Sequence, residues 1–146
     1  MNTALLILFA IFIGAISAIY LPMNSSVSRY LGSPLTANIS FYLVALITSI
    51  VIFAIFGEFE TIYNIKNVPP YLFLTGFISA FIVLGITFLI PLLGVRKLVI
   101  LSIAGQIIMA MIVSHFGVLE SPEDPINLRK IFGASLLILG AMVSMT

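Results

Sequence analysis

Residues 30–57 read YLGSPLTANISFYLVALITSIVIFAIFG, with no Asp, Glu, Lys or Arg in the run. Ser33 followed by Pro34 reads as a helix cap and first helical position, where proline's missing N–H is not needed and its fixed φ suits the turn. The stretch from there to Phe56 exceeds the roughly 20 apolar residues that carry a helix across a bilayer core. A chain in that core must satisfy its own backbone N–H and C=O groups, and a helix does so internally. The spacing therefore predicts a transmembrane helix over 34–56.

The same pattern repeats on either side. Charges fall at Arg29; Glu58, Glu60 and Lys66; Arg96 and Lys97; Glu120, Glu123 and Asp124; and Arg129 and Lys130. Between them lie charge-free runs at 1–28, 30–57, 67–95, 98–119 and 131–146. Pro69 and Pro70 open a third helix, and Pro91 to Gly94 close it. Gly117, Ser121 and Pro122 close a fourth. The last run is short, but Asp124 as cap and Pro125 as first position extend its helix, with Arg129 and Lys130 snorkelling to the headgroups. The expected fold is an all-α membrane protein, one domain over 1–146, with helices near 3–29, 34–56, 69–91, 96–116 and 125–145. A cleaved secretory leader is the competing reading of the N-terminus, but it wants a basic start, and no Lys or Arg precedes Arg29.

Composition excludes other classes. Hydrophobic residues make up 62% of the chain and charged residues 8%, with mean hydropathy +1.29. Soluble domains carry roughly 25% charged residues, so this surface is suited to lipid as its partner. A net charge of +1 leaves no basic stripe for nucleic acid. With no Cys and one His, disulfides and thiolate metal sites are ruled out, and no clustered carboxylates suggest a metal. No cofactor is expected. No nucleophile–base pair or phosphate-binding glycine loop is visible, so an enzyme is not expected either.

Five spans put the two termini on opposite sides. Lys66, Arg129 and Lys130 then fall on the N-terminal side, and Arg29, Arg96 and Lys97 on the other. Orientation follows a Lys/Arg excess on the cytoplasmic side, and three against three gives none. Insertion in both directions would allow an antiparallel homodimer, ten helices with inverted symmetry.

Helix contacts in lipid favour small residues. Ala10, Gly14 and Ala18 form a ridge at four-residue spacing, Gly76 and Ala80 another, and Gly133 and Gly140 sit seven apart. Generic packing explains such patterns as readily as a dimer seam. Pro22 breaks the backbone ladder within helix 1, either as a structural kink or as a hinge beside a site, and Ser25, Ser26 or a neighbouring helix could serve the carbonyl it frees.

Further residues carry a resemblance. The segment from Asn24 to Pro34, NSSVSRYLGSP, followed by ISFYLV from Ile39 to Val44, resembles the YdcZ-type branch of the drug/metabolite transporter superfamily. So do AGQI from Ala104 to Ile107 and HFGVL from His115 to Leu119, and the pattern continues through Arg129 and Gly133 to Gly140. The resemblance covers nearly the whole chain in order. It implies one five-helix half of a ten-helix transporter, an integral protein of the bacterial inner membrane, and a dimer like the antiparallel small multidrug resistance proteins. Two positions depart from the family's pattern: Tyr20 stands where relatives often carry Gln, and Ser114 where they often carry Asp. The second departure weakens a proton relay.

No charged residue lies inside an expected helix core, which removes the usual device for exchanging protons against cations. His115 reads as an interfacial histidine more readily than as a proton carrier. The neutral polar residues remain. Gln106 lies mid-helix 4, either bonding another helix or contacting a substrate. Ser17, Tyr20 and Asn24 share a face of helix 1, and Asn38 and Tyr42 share one on helix 2, with Thr75 and Ser79 of helix 3 as further polar groups. Ser and Thr in such helices often bond their own backbone. The expected function is transport of a small neutral or weakly charged metabolite by a dimer. The alternatives are a non-transporting membrane subunit or assembly factor, or one half of a heterodimer.

Overall fold

The computed structural model describes residues 3–119 and 121–145. Five α-helices follow one another: α1 Thr3–Leu31, α2 Pro34–Phe56, α3 Leu74–Leu93, α4 Val95–Phe116 and α5 Leu128–Met145. Two short 3-10 segments, Phe59–Asn67 and Pro70–Phe73, join α2 to α3. No strand occurs among the described residues. Five helical segments are long and apolar enough to cross a membrane, the third counted from Pro70 through α3.

The helix ends follow from local chemistry, and they depart from the sequence reading at Pro91 and at the start of α5. Ser33 occupies the cap position of α2 with extended backbone, but its hydroxyl makes no cap bond; its carbonyl accepts from Ala37 N–H at 3.1 Å. Pro91 does not close α3, which runs on to Leu93. Gly94 (φ +77°) and Gly117 (φ +59°) end their helices as the sequence indicates, since glycine takes left-handed backbone without the Cβ penalty. In α5, Asp124 and Pro125 do not start the helix. Asn127 Oδ1 accepts the N–H of Lys130 at 3.0 Å, so Asn127 is the working cap and the helix opens at Leu128.

The chain divides into two compact units, the first reaching to Leu92 and the second beginning at Leu93. In the first, α1 packs along α2; in the second, α4 packs along α5. Large apolar side chains face outward along the spans, as with Phe9 at 60% and Phe81 at 71% exposure. The buried residues of the first unit are mostly small or polar: Asn24, Ser25, Ser28, Ala37, Val83 and Thr87. This inversion of a soluble core fits a lipid solvent, which gives apolar groups no reward for leaving it and makes polar groups find partners inside.

Candidate functional site

In the first unit the last turns of α1 meet α3 through polar groups. Asn24 Nδ2 donates to Thr87 Oγ1 at 2.8 Å, and that hydroxyl donates to the Val83 carbonyl at 2.8 Å. Ser25 Oγ donates to the Thr87 carbonyl at 3.4 Å. Pro91, one turn on, has no N–H to offer that carbonyl. A hydroxyl from α1 thus fills the acceptor that proline leaves open on α3. The sequence offered Ser25, Ser26 or a neighbouring helix for the break at Pro22; in the structure Ser25 serves the carbonyl that Pro91 leaves open.

Beside this crossing, α1 and α2 bound a groove of about 340 Å³ lined by Tyr20, Met23, Asn24, Val27, Ser40, Phe41 and Val44. The Tyr20 and Phe41 rings stack with centroids 6.0 Å apart, forming an aromatic wall across the two helices. Phe41 also meets Tyr42 edge-on at 5.1 Å. The groove holds no Asp, Glu, Lys, Arg or His. It can offer aromatic faces, the Asn24 amide and the Ser40 hydroxyl to a solute.

The remaining polar residues of α2 point to α3. Asn38 Nδ2 donates to the Ala80 carbonyl at 3.3 Å, and its Oδ1 is buried without a partner. Tyr42 Oη and Ser79 Oγ lie 2.6 Å apart in a hydrogen bond. Asn38 and Tyr42 thus share a face, as their spacing indicates, and that face docks α3. Ser17 bonds back to the Ile13 carbonyl and Thr75 to the Leu72 carbonyl. Of the sequence candidates, Tyr20 and Asn24 come together in the groove. Phe41 and Thr87 were missed: an aromatic in an apolar helix carries no signal, and a threonine bonding its own backbone looks ordinary.

In the second unit a cleft of about 360 Å³ lies between α4 and α5, lined in part by Ile107, Ser114, Asp124, Ile126 and Lys130. A second one, about 310 Å³, is lined by Ile100, Ala104, Leu136 and Gly140 among others. Gln106 is exposed on α4 and lines neither cleft. Gly14, Gly76 and Gly133 have open space where a Cβ would stand, and so does Gly140 beside its cleft. Ala18 is half-buried, and Ala80 takes part through its carbonyl. Pro22 sits within an unbroken α1. Among the described residues no three of His, Cys, Asp and Glu gather in a metal-holding group.

The model of a family described as "Putative inner membrane exporter, YdcZ" matches residues 5–143, almost the full length. No curated protein matches, and no solved structure does.

Proposed function

The chain belongs to that YdcZ family as a multi-pass protein of the inner membrane, and we propose that it exports a small neutral or weakly charged metabolite as a dimer. The α1–α2 groove carries this reading. Its aromatic wall and its amide and hydroxyl groups suit a compact solute with both apolar and hydrogen-bonding parts. With no Asp, Glu, Lys, Arg or His in its lining, it gives a strongly charged solute no countercharge to offset the loss of water.

The dimer has a separate support. Gln106 is exposed within a membrane-spanning helix, and its amide has no hydrogen-bond partner among the described residues. An unpaired amide in hydrocarbon costs several kcal/mol or so. A second copy supplies the missing partner. The balanced basic residues suit an antiparallel pair, completing a ten-helix assembly from two five-helix halves.

Uptake into inverted membrane vesicles tests the site. The probes are labelled neutral amino acids and polyols, with tetraphenylphosphonium as the cationic comparison. At least one neutral probe is expected to accumulate above the level in vesicles lacking the chain. Phe41→Ala, which removes half of the aromatic wall, is expected to lower its apparent affinity roughly threefold to tenfold, the worth of about one aromatic contact. Accumulation of the cation alone, or neutral uptake untouched by Phe41→Ala, would remove the groove from the transport path.

A further inference from the structure

The connection between α4 and α5 folds back onto the last turn of α4. Asp124 N–H donates to the Ser114 carbonyl at 2.8 Å, and Ile126 N–H donates to Nδ1 of His115 at 3.1 Å. The hydroxyls of Ser114 and Ser121 lie 3.5 Å apart. From α5, Lys130 Nζ pairs with the Asp124 carboxylate and donates to the Pro125 carbonyl at 2.7 Å. Ser114, Asp124, Ile126 and Lys130 also line the cleft of about 360 Å³ between the two helices. The segment is thus a strap fixed along the cleft at its α4 end by a backbone carbonyl and an imidazole.

These two anchors differ in chemistry. A carbonyl accepts a hydrogen bond at any ordinary pH. An imidazole nitrogen accepts only while it carries no proton, so the Ile126 bond requires a neutral ring with its hydrogen on Nε2. In the imidazolium both nitrogens donate, and the Ile126 N–H would then face another N–H. Histidine is the side chain whose charge changes between about pH 5 and pH 8. The charged groups of the adjoining segments are Glu123 and Asp124 in the strap and Arg129 and Lys130 at the start of α5. Asp124 is already paired with Lys130, so its carboxylate does not replace the lost acceptor.

We propose that His115 is a proton-operated latch on the α4–α5 strap. The neutral ring holds residues 121–126 against α4. The protonated ring withdraws the acceptor from Ile126 and leaves the Ser114 carbonyl as the remaining backbone anchor on α4, which loosens the strap over the cleft, so that acidification on that face of the membrane changes access to the second unit. The latch moves no proton across the bilayer and depends on no membrane-buried acid. It stands independently of which solute the α1–α2 groove takes.

The chain has no cysteine, so a single spin label on Pro122→Cys reports the strap cleanly in lipid nanodiscs. The label is expected to be immobilised at about pH 8 and more mobile at about pH 5. His115→Gln offers an acceptor that does not take up a proton, and should keep the label immobilised at both values. His115→Ala should leave it mobile at both. Asp124→Asn, which removes the neighbouring carboxylate charge, should retain the pH response. A label equally mobile at both pH values in the otherwise unaltered chain overturns the latch. So does a pH response that persists in His115→Gln, or ¹⁵N imidazole shifts showing hydrogen on Nδ1 of the neutral ring.

Discussion

Thr87 joins α1 to α3 with both of its oxygens. Its hydroxyl accepts from Asn24 and passes its own hydrogen to Val83, and its carbonyl accepts from Ser25. At 1% exposure none of these groups has water to fall back on. Hydrogen bonds between membrane helices are typically worth about 1 kcal/mol, because the unfolded chain in lipid also finds partners. Asn24→Leu and Thr87→Val should each destabilise the chain, and the double variant should cost less than the sum. The expected coupling is about 1 kcal/mol, read by detergent-titrated unfolding in mixed micelles. Full additivity would mean the pair is a bystander. Asn24 was legible in the sequence because an amide in an apolar helix demands a partner. Thr87 was not, because its bond to Val83 is what any threonine in a helix can make alone. The groove shows the same limit: Tyr20 and Asn24 sit on one face by spacing, but the opposing ring of Phe41 belongs to another helix, and spacing within one helix does not select it.

At the level of elements, the charges and the glycines marked the helices well, and proline was the less reliable sign. Gly94 and Gly117 end α3 and α4 through left-handed backbone, as a Cβ-free residue can. Pro91 looked like a terminator, yet α3 continues past it. In water the carbonyl of Thr87 would be solvated; in lipid it is Ser25 on α1 that serves it, a pairing 62 residues apart along the chain that no local window shows. Ser25→Ala should therefore cost about 1 kcal/mol against unfolding in the natural background. In a Pro91→Ala background the restored N–H of residue 91 takes the Thr87 carbonyl, and Ser25→Ala should become nearly neutral. An equal cost in both backgrounds would show that Ser25 does something other than serve the broken ladder. The late start of α5 has a similar cause. Asp124 carried the cap signature in sequence, but the strap draws it to Ser114 and Lys130, and Asn127 caps the helix instead.

For the whole molecule, the decisive fact is the inversion of surface and interior. Phenylalanines and leucines cover the outside while asparagine, serine and threonine occupy the inside of the first unit. Composition alone required this, since 8% charged residues do not keep a globule of this size wet. Solute identity was not legible, because in the proposed function it is set by a groove shared by two helices. Direction of insertion was not legible either, because the basic residues divide evenly. Both the export reading and the latch presuppose five lipid-embedded spans, and hydrogen exchange of the chain in lipid nanodiscs tests these without reference to which way each molecule is inserted. Strong protection is expected across 3–31, 34–56, 70–93, 95–116 and 128–145, with rapid exchange in the connection at 57–69. Exchange through any one of the five segments at the rate of a solvated surface helix, or unbroken protection through 57–69, would contradict the five-span architecture.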